Sequence, residues 1–149
     1  MALEYELTLA PATSVEEIAR RALPDPAERP TGTPPLLSAG LVERYGFGVT
    51  VLAGREGYVE AATETGRWEW EPAAYVSLTF RMDKFADPSW EVTNMLTIVR
   101  RVLDSGTEDA ALVLNGNELL LTRFDGESAK HGWQDWWQTY AGANDLIPD

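Results

Sequence analysis

His131 is the only histidine of the chain, and cysteine is absent. Acid–base chemistry near neutral pH therefore has one imidazole to draw on. Disulfides, zinc–thiolate sites, iron–sulfur clusters and thiol nucleophiles are excluded, as is any two-histidine metal motif. Ser128, Lys130 and Asp135 flank His131, but the Gly-x-Ser-x-Gly turn that presents a nucleophilic serine does not occur. The stretch Gly126-Glu127-Ser128-Ala129-Lys130-His131-Gly132 is polar and bounded by glycine, which reads as a loop with a solvated histidine. Asp83, Asp87 and Glu91 lack the regular oxygen-ligand spacing and central glycine of a calcium loop. Tyr45-Gly46-Phe47-Gly48 opens no helix, and no Gly-Lys-Ser/Thr follows, so no phosphate cradle or dinucleotide fingerprint is present. The expectation is a protein with no catalytic residue, no cofactor and no metal.

Aromatic residues are the other candidates. Trp68 and Trp70 alternate with Glu69 and Glu71 just before Pro72. In an extended segment the two rings share one face and the two carboxylates the other. Trp133, Trp136, Trp137 and Tyr140 fall at i, i+3, i+4 and i+7, one stripe of a short helix that Gly142 stops. Such a stripe either docks on a sheet as core or forms a partner-binding patch. Tryptophan and tyrosine anchor many protein interfaces, and acidic neighbours select a basic partner. Glu69, Glu71, Asp135, Trp136 and Trp137 are the candidate partner-binding residues, with Trp136 or Trp137 as the anchor if either ring is exposed. A small ligand-binding or enzymatic α+β domain, with a tryptophan-lined pocket and a perturbed carboxylate, is the alternative.

The elements that must position these residues can be read from periodicity. Leu3, Tyr5, Leu7 and Leu9 alternate with polar residues as a half-buried strand, ended by Pro11. Ser14 then caps a helix reaching about Leu23, with Glu17 completing a capping box and Val15, Ile18, Ala19 and Ala22 inside. Five prolines between Pro24 and Pro35 predict a surface loop. Phe47 to Ala53 alternates as a strand, Gly54-Arg55-Glu56-Gly57 turns, and Tyr58 to Thr63 returns. Val76, Leu78, Phe80 and Met82 form the inner face of a further strand. Asp87-Pro88 opens a helix with Val92, Met95, Leu96, Val99, Val102 and Leu103 on one side, stopped by Gly106. Asn115-Gly116 predicts a two-residue hairpin pairing Leu112 with Leu119 and Val113 with Glu118. Both faces of that hairpin are apolar. The helices should cover one, and the tryptophan-rich tail or the proline loop part of the other. The predicted class is α+β: one domain over residues 1–149, with a mostly antiparallel sheet of six to seven strands, two main helices and a short C-terminal helix.

The chain has 149 residues and a formal net charge of −12, from 24 Asp and Glu against 12 Lys and Arg. Residues 1–66 carry −5 and residues 67–149 carry −7, so the acidity is spread through the chain. Lys84 and Lys130 are the only lysines, and no basic patch exists to displace nucleic-acid counterions. An acidic surface repels phosphates and anionic lipid and attracts basic proteins. No stretch approaches 18 apolar residues, so no membrane span is expected. The first residues lack the basic and apolar regions of a signal peptide, and a cytoplasmic location is the expectation.

The opening Met1-Ala2-Leu3-Glu4-Tyr5-Glu6-Leu7-Thr8-Leu9, followed by the Ser14-Val15-Glu16-Glu17 helix start, resembles the Sit-type immunity proteins. That family is named for immunity to toxins exchanged between swarming bacterial cells. The Phe47-to-Ala53 strand after a proline-rich loop, the Asp87–Leu103 helix and the late hairpin fit the same outline. The resemblance implies a cytoplasmic antitoxin that binds and blocks a cognate polypeptide toxin. It transfers no catalytic motif and no contact residue. A nuclease toxin would present a basic cleft that an acidic inhibitor could occupy in place of phosphates.

Overall fold

A computed structural model describes residues 3–11, 13–132 and 134–148. In chain order the elements are β1 (Glu4–Ala10), α1 (Val15–Ala22), β2 (Thr31–Thr33), β3 (Leu36–Leu41), α2 (Val42–Tyr45), β4 (Phe47–Arg55), β5 (Val59–Thr63), β6 (Gly66–Trp70), β7 (Ala74–Met82), α3 (Pro88–Asp104), β8 (Asp109–Leu114), β9 (Glu118–Phe124), β10 (Glu127–Lys130), α4 (Gln134–Thr139) and α5 (Ala141–Asn144). The class is α+β, as the periodicity predicts. The sheet has ten strands rather than six or seven, in the order β2-β3-β4-β7-β1-β8-β9-β5-β6, with β10 also on β9. Every pairing is antiparallel except one parallel bridge, Ala62 to Glu118. Among the described residues no helix is long and apolar enough to cross a membrane.

The elements with the cleanest patterns form as expected. Ser14 Oγ accepts the Glu17 backbone N–H at 3.1 Å. The second half of the capping box is replaced, because the Glu17 carboxylate pairs with Arg20 instead. Val15, Ile18, Ala19 and Ala22 of α1 are buried together with Val92, Met95, Leu96, Ile98, Val99 and Val102 of α3. Both helices share one core with Tyr5, Leu7, Leu9, Phe47, Val49, Val51, Val76, Leu78 and Phe80 of the central strands. Burying a side chain of this size stabilises by roughly 1.5–3 kcal/mol, so this face dominates the fold.

Three expectations change. The proline segment is not wholly loop, because Thr31–Thr33 and Leu36–Leu41 pair with each other, and β3 pairs with β4. The strand after Gly57 does not return along β4. Instead β4 pairs with β7 from Phe47–Met82 to Arg55–Ala74, and the β5–β6 hairpin is inserted between them. Asn115 (φ 52°) and Gly116 (φ 70°) do make a tight turn. However, the pairs are Leu114–Glu118 and Val113–Leu119, and then Leu112–Leu121 across a bulge. The loop has three residues, 115–117, rather than two, which puts Leu119 beside Val113 on the opposite face and Leu120 in the main core; the bulge then returns Leu121 to the side of Leu112.

That opposite face has its own small core of Ala61, Ala111, Val113 and Leu119, with Val59, Trp68 and Trp70 packed against it. The inserted hairpin covers this face, not the tail or the proline segment. The tail joins the main core.

One polar arrangement ties α1 to the region after α3. Arg21 and Glu108 form a two-pronged ion pair, Nη1–Oε2 2.7 Å and Nη2–Oε1 2.9 Å, with both side chains buried. Arg21 also donates to Ser105 Oγ (2.9 Å) and to the Val102 carbonyl (2.6 Å). Gly106 is required here, since a Cβ would collide with the Arg21 guanidinium and the Glu108 carboxylate.

Candidate partner-binding surface

The β5–β6 hairpin sorts its side chains as the alternation predicts. Trp68 and Trp70 turn toward Phe124, at ring-centroid distances of 6.1 and 5.2 Å. Glu69 is exposed, but it is not an isolated charge. Arg67 Nε lies 2.9 Å from its carboxylate, and Arg67 Nη2 reaches both Glu60 (2.9 Å) and the Tyr58 hydroxyl (2.9 Å). Glu60 and Glu69 are direct cross-strand partners, so Arg67 bridges two like charges that would otherwise repel. Glu71, one residue past the strand, is exposed and has no ion-pair partner among the described residues.

Asp135 is exposed in the first turn of α4. Trp136 and Trp137 beside it are 8% and 9% exposed. The condition for either to act as an exposed anchor is therefore not met. Trp136 packs edge-on to Tyr5 at 6.0 Å, and its Nε1 donates to the Tyr5 hydroxyl at 3.3 Å. Trp137 Nε1 donates to the His131 carbonyl at 2.7 Å and to the Leu120 carbonyl at 3.2 Å. The stripe docks on the sheet as core; Trp133, its first member, lies outside the described residues. Because α4 packs into the main core and β6 lies over the opposite one, the carboxylates of Glu69 and Glu71 are not brought together with Asp135.

His131 is not a solvated loop residue. Glu127–Lys130 is a strand on β9, and His131 follows it half-buried. Its Nε2 is 2.9 Å from Thr122 Oγ1, and its backbone N–H donates to the Leu120 carbonyl. Ser128 points outward on β10, so the hydroxyl beside the imidazole belongs to Thr122. The histidine stitches β10 and α4 to β9.

The sequence reading missed a different place. A cleft of about 170 Å³ opens between the start of β1, the end of β7 and the first turn of α3, lined by Tyr5, Met82, Asp83, Lys84, Glu91 and Tyr140 among others. Glu91 is 4% exposed, and its Oε2 has no hydrogen-bond partner. Burial pushes its carboxyl above the usual range, Asp83 and Asp87 add to the effect, and the Asp83 amide opposes it. Burial and the charge of Glu91 also raise Tyr140. Phe85, between the lining residues Lys84 and Ala86, is 85% exposed. The signal for Glu91 was present in the sequence. Positions 91, 95, 98 and 102 form one helical stripe, and a carboxylate occupies the first place in a row otherwise apolar.

The cleft is small beside the roughly 300–1,000 Å³ of drug-sized ligand sites, and its described lining contains no tryptophan. Among the described residues no cluster of three or more acidic or histidine side chains is placed to hold a metal ion. What the surface offers is exposed aromatic rings, spread carboxylates and one unpaired buried acid, features suited to contact with another polypeptide. Neither the curated proteins nor the solved structures compared with the chain give a match. A family model described as SitI3-like matches residues 3–141, from the residue before β1 to the start of α5. The chain belongs to the SitI3-like family.

Proposed function

We propose that this chain is an immunity protein: a single-domain, cytoplasmic antitoxin that neutralises a cognate polypeptide toxin by forming a stoichiometric complex, without turnover. The observation that carries the reading is the family match across residues 3–141. The net charge of −12 supports a basic toxin, because complementary fields accelerate encounter and favour that partner. Glu69, Glu71 and Asp135 keep their carboxylates at the surface and are proposed as contacts with basic toxin groups. Trp136 and Trp137 contribute indirectly, by holding α4 against the sheet so that Asp135 is presented.

The test is rescue. The open reading frame next to this one is expressed in a naive host, with and without this chain. Lethality that this chain abolishes is the expected result. A product that is harmless alone, or equally lethal in both cases, would remove the reading.

A further inference from the structure

We propose that the cleft at the α3 N-terminus receives one basic side chain, a lysine ammonium or arginine guanidinium, of the protein partner, and that Glu91 is its counter-ion. This rests on the immunity reading and deepens it by naming a contact and its chemistry.

Three observations meet here. Glu91 is 96% buried by exposure, lines the cleft, and leaves Oε2 without a donor. A buried polar oxygen normally finds a partner, and leaving it unmade is costly. A cation that enters the cleft and displaces the cover over Oε2 resolves that cost. Asp83 lines the same cleft and Asp87 caps the helix one turn before Glu91, so the local field is negative. Lys84 is the one cationic residue of the described lining; its Nζ lies over the Phe85 ring at 5.1 Å from the centroid, and it makes no ion pair with Glu91 among the described residues. Finally, Phe85, between the lining residues Lys84 and Ala86, is 85% exposed and adds little to the fold. An exposed aromatic ring beside a desolvated charge pair is a feature that concentrates binding energy at protein interfaces.

Two measurements decide it. In the first, N-acetyl-arginine amide, N-acetyl-lysine amide and the neutral N-acetyl-citrulline amide are titrated into the labelled full chain and followed by amide chemical shifts. Saturable shifts at residues 83–92 with a cationic probe, absent with citrulline and absent in Glu91→Gln, are expected. No shift, or equal shifts with citrulline, would overturn the proposal. The glutamine variant removes a buried charge while keeping the side chain's shape, and its unfolding midpoint shows that it folds.

The second measurement is affinity for the polypeptide identified by rescue. Glu91→Gln should weaken binding by roughly thirty-fold or more, as expected for one partner of a buried charge pair. Phe85→Ala should weaken it independently. Wild-type rescue with equal binding by Glu91→Gln overturns the cleft assignment and leaves the immunity reading standing. If the wild type fails to rescue, the immunity reading fails, and the amide titration alone decides the cleft. Self-association of the chain that Glu91→Gln abolishes would assign the cleft to a second copy and overturn the proposal.

Discussion

Replacing Glu108 with alanine removes both prongs of its ion pair with Arg21 and leaves a guanidinium buried without a counter-charge. Breaking a buried pair from one side costs about 3–5 kcal/mol. Arg21 keeps its bonds to Ser105 Oγ and the Val102 carbonyl, so the lower end applies, about 3 kcal/mol. For a chain of this size that lowers the thermal midpoint by roughly 6–12 °C. The assay is urea unfolding followed by tryptophan fluorescence, with ΔG taken at unchanged m. The double variant Arg21→Met/Glu108→Leu should recover part of the loss, because the Arg21 pair leaves no orphaned charge, while Arg123 Nη2, 4.0 Å from Glu108 Oε1, still loses its counter-charge. Acid supplies an independent check. The Arg21 hydrogen bond holds the Glu108 carboxyl below its usual value of 4.5. Its stabilisation is complete above that value and is lost as pH falls through the lower, folded-state pKa. The wild type and Glu108→Gln should therefore differ most above pH 4.5 and converge below it. Glu91 has the opposite sign, since its raised carboxyl costs stability as pH rises, so it cannot produce that convergence. A Glu108→Ala loss below about 1 kcal/mol, or a double variant as unstable as the two singles summed, would refute the argument.

Association with the toxin should slow steeply as salt rises, since the steering comes from the whole −12 charge; stopped-flow rates that ignore ionic strength would remove the steering argument. Trp68→Ala should cost about 1–3 kcal/mol, less than the roughly 3–5 kcal/mol of a fully buried tryptophan, because the ring is only half-buried against Trp70 and Phe124. Chemical denaturation measures it, and a loss below about 0.5 kcal/mol would show that the hairpin does not seal the second face.

The parts legible in the sequence were those whose pattern is local. The alternation of Val76, Leu78, Phe80 and Met82 and the stripe from Val92 to Leu103 each carry their own period, and both elements formed where expected. Leu36–Leu41 was hidden because Leu-Leu-Ser-Ala-Gly-Leu alternates poorly beside two prolines; it is a strand because β4 offers its edge. The partner of Val59–Thr63 was hidden for a related reason. A turn signal at Gly54–Gly57 says that the chain reverses, not that β7 has a better claim on β4. One extra loop residue, Asn117, moved Leu119 and Leu120 to exchanged faces before the bulge restored Leu121, since sidedness in a strand depends on counting. For the surface, the carboxylates of Glu69 and Glu71 were placed correctly opposite Trp68 and Trp70. The tail tryptophans were readable as core or patch, and only the position of Tyr5 decided it. Glu91 was weighed only as a calcium ligand with Asp83 and Asp87 and set aside on spacing, because its burial depends on how α3 packs.

The margins of the sheet have a consequence for how the chain behaves at high concentration. At one margin stands β2, three residues long and bracketed by Pro30 and Pro34, which offers almost no ladder for another chain to extend. At the other, β6 carries Arg67 and Glu69 on its outer side, and charges there discourage stacking. The third open edge, β10, is four residues long, so every margin of the ten-stranded sheet gives a second copy little to extend.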